Sequence, residues 1–215
     1  MLFIILVGFE TPFIAIHLLW INLITDSLPA IALGMDPKDK GIMNEKPRNP
    51  NETVFAHGGL RDTIMHGSFI TIAVIIAYLS AFWLNGITDF HMIAGIKNLT
   101  VEANGINGQA ILMQAQTMSF TALGFAELIH MVCMSSVEHS AFKVFGNKNW
   151  MMLLAFVLGV GLQFFVILTP GVQDVFKTIS LDWKEWLITA GAAFVPLVAH
   201  EIEVLIKYII KKRAK

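Results

Sequence analysis

The sequence predicts an all-α fold: a polytopic membrane helical bundle of five full transmembrane helices, preceded by the end of a sixth. Three observations carry that prediction. The composition is 55% hydrophobic and only 14% charged, with a mean hydropathy of +0.66, against about 45–50% and about 25% in ordinary soluble domains. A soluble domain of 215 residues must cover a large surface with polar groups, and these are too few. The apolar residues also gather into runs of roughly 20, the length a helix needs to cross a hydrocarbon core about 30 Å thick. Basic residues, finally, fall mostly on alternate connections between those runs. Together these features exclude a soluble enzyme, a disulfide scaffold and a disordered chain. The one cysteine, Cys133, cannot form an internal disulfide. A net charge of −1 offers nothing to nucleic acid, which is not an expected partner.

Taken in order, residues 1–9 form an apolar run too short to span a bilayer. They read as the end of a truncated transmembrane helix, since no basic residue precedes them as in a signal peptide. Residues 10–33 hold the first full span, 17–33, with Asn22, Thr25 and Asp26 near its middle. A polar loop rich in Pro, Asn and Lys occupies 34–63. Residues 64–206 contain four further spans, at 64–84, 116–134, 150–169 and 186–206, joined by polar connections. The basic tail is 207–215.

Lys and Arg counts set the orientation. The 34–63 loop holds five, the 135–149 connection two and the tail five, so twelve of the fifteen basic residues fall on one side. Lys97, Lys177 and Lys184 are on the other. The 34–63 loop and the C-terminus are therefore expected in the cytoplasm, with the chain an integral, multi-pass membrane protein whose lipid partner is the bilayer. In a prokaryote that bilayer would be the plasma membrane.

Ionisable groups inside a span are costly and need a reason. Asp26 and Glu127 are the two acids near mid-depth. Offsets of three and four residues share a helix face, so Asn22, Thr25 and Asp26 offer three oxygens on one stripe. Pro29 cannot donate to the carbonyl of Thr25, so the helix is expected to kink or open there and free backbone oxygens. Amide, hydroxyl, carboxylate and carbonyl oxygens are the donors a hard cation such as calcium takes. The alternative for Asp26 is a protonated or paired structural carboxyl. Glu127 has two readings as well, a second ligand or a protonated side chain bonded to a neighbouring helix. His130, Cys133, Glu201 and Glu203 read as structural residues.

At HLLWINLITDSLPAIALGMDP the sequence resembles the sixth transmembrane helix of P-type cation-transporting ATPases, in the calcium-pump branch similar to the sarcoplasmic-reticulum type. The loop with Ile42-Met43 and Lys46-Pro47-Arg48 is similar to the connection after that helix, TMSFTALGFAELIHMV to the eighth helix, and FVPLVAHEIEVLIKYI to the end of the tenth. The resemblance implies that Asn22, Thr25, Asp26 and Glu127 are cation ligands, with Ca2+ as the transported ion. It also implies that ATP and Mg2+ act only in cytoplasmic domains outside this chain. No Asp-Lys-Thr-Gly phosphorylation motif and no Thr-Gly-Glu motif occurs in the 215 residues. The chain is thus expected to be the C-terminal ion-pathway portion of a calcium-transporting ATPase, inactive alone, with the missing N-terminal part of the pump as its partner. Two alternatives belong to other classes: a stand-alone membrane subunit or scaffold binding a pump, and a proton-coupled secondary cation carrier using Asp26 and Glu127.

Overall fold

A computed structural model describes residues 1–35, 52–53, 59–98, 107–134, 141 and 150–213, and every described secondary-structure element is helical. In chain order the helices are α1 (Leu2–Leu6), α2 (Ala15–Trp20), a π-helical segment (Ile21–Thr25), α3 (Ser27–Gly34) and α4 (Gly59–Leu84). A short α5 (Phe90–Ala94) and a 3-10 turn (Ile96–Asn98) lead to α6 (Gly108–Met134), α7 (Trp150–Leu168), α8 (Pro170–Phe176), α9 (Trp183–Ala193) and α10 (Val195–Arg213). Among the described residues, four helical stretches are long and apolar enough to cross a membrane: Ala15–Gly34, Gly59–Leu84, Gly108–Met134 and Trp150–Leu168.

The fifth expected span, 186–206, is helical but divided between α9 and α10, which meet at Phe194. Pro196 explains the division. It has no N–H to return to the carbonyl of Ala192, and its ring crowds that carbonyl, so it sits at the second position of a new helix rather than inside an old one. The Phe194 N–H bonds back to the carbonyls of Ala190 and Gly191, closing α9 on a tight last turn. Helix α6 begins at Gly108, eight residues before the expected span, and the connection after Thr169 is itself helical from Pro170, a residue suited to open a helix. The 34–63 loop motifs Ile42-Met43 and Lys46-Pro47-Arg48 lie outside the described residues, as do Lys143, Lys148, Ala214 and Lys215.

Helix α6 is the axis of the bundle. Inside its apolar stretch 67% is buried, against 24% for Ala15–Gly34, which lies at the periphery. Small residues let the neighbours approach. Ala73, Ala77 and Ala81, at four-residue spacing on α4, are fully buried with Ala115, Met118 and Ala122 of α6 and, from α9, the buried Ala192. Apolar helices in lipid gain from such close backbone packing because no hydrophobic drive separates them from the tails. Several buried hydroxyls of α6 are satisfied within their own helix. Ser119 Oγ donates to the Ala115 carbonyl at 2.7 Å and Thr121 Oγ1 to the Thr117 carbonyl at 2.7 Å.

Polar side chains join the helices beside both ends of α4. At one, Asn85 Nδ2 donates to Gln114 Oε1 at 2.8 Å, Gln114 donates in turn to Glu185, and Lys97 pairs with Glu10 at 2.5 Å. At the other, His66 Nε2 lies 3.4 Å from Glu203 Oε2, Lys207 pairs with Glu203 at 2.6 Å, and Glu201 accepts the Ala141 N–H at 2.8 Å.

Candidate cation-binding segment

The ligand-type residues of the first span fall on and beside the π segment. Trp20 precedes it and Asp26 follows it, with α-region backbone at both. The Asp26 N–H bonds to the carbonyl of Ile21 at 3.0 Å, five residues back rather than four. Such a widened turn displaces the regular ladder, and Pro29 withholds the next donor from Thr25. The regular pattern resumes with the Ala30 N–H on the Asp26 carbonyl at 3.1 Å. The opening expected at Pro29 takes the form of a π segment just before it.

Asn22 and Asp26 are exposed, on the side of the rod that also carries Leu19, Leu23 and Ile31, at 64%, 61% and 58% exposure. The opposite side is buried: His17, Ile21 and Ala32 are at most 5% exposed. Only the backbone of Thr25 is described. Glu127 is half-buried on α6, between Ala126 and Leu128, which are fully buried. The π segment packs on this helix, with Ile21 and Phe120 in one apolar cluster. The structure thus brings Asn22 and Asp26 to one side of a single rod and sets Glu127 on the helix beside it. Among the described residues, no three His, Cys, Asp or Glu side chains form a group that could hold a metal ion. A cation at this segment would need amide and carbonyl oxygens besides the carboxylates, which is the donor set of a hard cation.

Sequence reasoning passed over three buried polar residues, two of them beside the segment. His17 is fully buried, its Nε2 donates to the Phe176 carbonyl at 2.8 Å, and its ring stacks on Phe120 with centroids 4.4 Å apart. Gln163, also fully buried, accepts from Trp20 Nε1 at 3.2 Å and donates to the Phe120 carbonyl at 3.3 Å. His66 is the third, with its ring centroid 4.9 Å from that of His130 and 6.2 Å from that of His200. The available signal was the lone amide in the otherwise apolar run of α7.

Comparison with known proteins bears on the same region. Residues 10–206 match the family model described as "Cation transporting ATPase, C-terminus". The chain is 34% identical over 210 residues to "Calcium-transporting ATPase 1" of Bacillus cereus, covering 94% of this chain and 22% of that protein. It is 32% identical to "Calcium-transporting ATPase" of Bacillus subtilis, covering 91% of this chain and 19% of the relative. To "Calcium-transporting ATPase type 2C member 1" of Mus musculus the identity is 26%, over 98% of this chain and 20% of the relative. The chain therefore spans about a fifth of the length of these relatives.

Proposed function

Since this chain belongs to the cation transporting ATPases, as their C-terminal region, we propose that it is the membrane ion-pathway portion of an ATP-driven calcium pump. The observation that carries this reading is the π segment Ile21–Thr25, flanked by a carboxylate and opened beside a proline, in a stretch apolar enough to cross a membrane. Oxygen donors at an interrupted helix suit a hard cation: the ion takes amide, carboxylate and freed carbonyl oxygens without charging the surrounding lipid. In this proposal Asn22, Thr25 and Asp26 supply one part of the calcium site and Glu127 another. Calcium is the cargo. ATP and Mg2+ act in cytoplasmic domains of the same pump, and phosphorylation there moves the helices between states that open the site to one side or the other.

The exposed side of Ala15–Gly34 supports the need for further helices. Asn22 and Asp26 share that side with large apolar residues, so helices from the rest of the pump would cover both. The C-terminus is placed in the cytoplasm in this reading, as the distribution of basic residues favours. The test is Asp26→Asn in the full-length pump. Calcium-dependent phosphorylation from ATP is expected to be lost, or to need far more calcium. Phosphorylation at unchanged calcium affinity would overturn the ligand assignment.

A further inference from the structure

The cation-ligand segment is held from behind by hydrogen bonds that no regular helix would need. Trp20 stands at the last position before the π segment, and its indole N–H donates to Gln163 Oε1 at 3.2 Å. The same amide turns its Nε2 to the Phe120 carbonyl at 3.3 Å, so both ends of a fully buried polar group are occupied. One turn earlier, His17 Nε2 donates to the Phe176 carbonyl at 2.8 Å. Phe176 also meets Trp20 edge-on, with centroids 5.1 Å apart. These contacts join α2 to α6, α7 and α8.

Gln163 has no local reason to be there. Every other residue of α7 is apolar or aromatic, and a buried amide in lipid is tolerated only when its groups are paired. Its seat is also shaped for it. A Cβ at position 124 would stand 2.8 Å from Gln163 Cδ, so only glycine leaves room for the amide.

The consequence is rotational. Each residue advances a helix by about 100°, so a slip of one position carries a side chain to another face. The ladder is widened between Ile21 and Asp26, and Pro29 offers no N–H to the Thr25 carbonyl, so the rotation of Asn22 and Asp26 is fixed less firmly than in an unbroken α-helix. An external reference at Trp20 sets where those two oxygens point.

We propose that Gln163, acting through Trp20, is a positioning residue for cation binding: the Trp20–Gln163–Phe120 brace fixes the rotation of the ligand segment and thereby sets its cation affinity. This rests on the calcium-site reading of Asn22 and Asp26. Gln163 lies on the buried side and touches no cation itself.

The test uses the full-length pump with Gln163→Leu, which removes both amide bonds at similar volume, and Trp20→Phe, which removes the donor and trims the edge-on contact with Phe176. Each is expected to raise the calcium needed for half-maximal phosphorylation from ATP by about three- to tenfold, with the maximal level retained. The two variants share the Trp20–Gln163 bond, so the double variant is expected to lose less than the product of the two single losses. Hydrogen exchange across residues 15–34 is expected to quicken in both variants while exchange across 59–84 stays unchanged. Unchanged exchange, unchanged half-saturating calcium, losses that multiply in the double variant, or a fall only in the maximal level would each overturn the proposal. Normal calcium dependence in Asp26→Asn would instead defeat the ligand reading, and the exchange data would still decide whether the brace exists.

Discussion

Gly124 shows how one missing side chain can organise a site at a distance. The amide of Gln163 fills the space where a Cβ would stand, 2.8 Å from its Cδ. The amide is bonded on both sides, so it has no free direction in which to retreat. Gly124→Ala is expected to lower the stability of the chain by about 1–3 kcal/mol through overpacking, read as a fall in its thermal unfolding midpoint in detergent. The same substitution in a Gln163→Ala background is expected to cost much less, because the two changes share one cavity. Asn22 and Asp26 were legible in the sequence for a chemical reason: oxygen donors at four-residue spacing identify a shared face without any knowledge of the fold. Gln163 was legible only as a lone amide in an apolar run, and its partner was not. Its donor, Trp20, is 143 residues away, and no local pattern connects an indole in one apolar run with an amide in another.

At the scale of elements, hydropathy finds spans but is blind to breaks. Pro29 and Pro196 both interrupt apolar runs, with different results. Pro29 sits three residues into α3 and leaves a π segment that keeps the rod continuous. Pro196 sits at the second position of α10 and leaves two helices. The first effect was expected from the missing N–H of Pro29; the same argument applies to Pro196 but was not made there, because the run 186–206 was read as one span by its hydropathy. Pro29→Ala would restore a donor facing the Thr25 carbonyl. It is expected to slow hydrogen exchange across 21–30 and, under the calcium-site proposal, to raise the half-saturating calcium of the full-length pump. Packing between elements gives another test. A Cβ at Gly159 would run into Leu128 Cδ2, so α6 and α7 approach as closely as these two residues permit. Gly159→Val is expected to reduce the yield of folded protein, and Leu128→Ala is expected to restore part of it by vacating the contact.

On the scale of the whole molecule, the two polar ends agree with the alternation that the basic residues predict. Lys97, the end of α4 and the starts of α6 and α9 meet through Lys97–Glu10, Asn85–Gln114 and Gln114–Glu185. His66, Glu203 and Lys207 meet at the opposite end, where the 135–149 connection is represented by Ala141 on Glu201. Of the basic residues that set the orientation, Lys97 pairs with Glu10 at one end and Lys207 with Glu203 at the other. Contact fixes which residues share an end, while charge bias alone says which end is cytoplasmic. Thiol labelling separates the two statements. With Cys133 replaced by Ala, single cysteines at His91, Val175 and Lys212 are all exposed positions. In intact cells, a membrane-impermeant maleimide is expected to label the His91→Cys and Val175→Cys variants and to spare Lys212→Cys until the membrane is opened. Labelling of His91→Cys and Lys212→Cys from the same side would contradict the bundle itself. The reverse pattern, with only Lys212→Cys reached from outside, would keep the bundle and invert it, and would place the exporting direction of the proposed pump in conflict with its own helices.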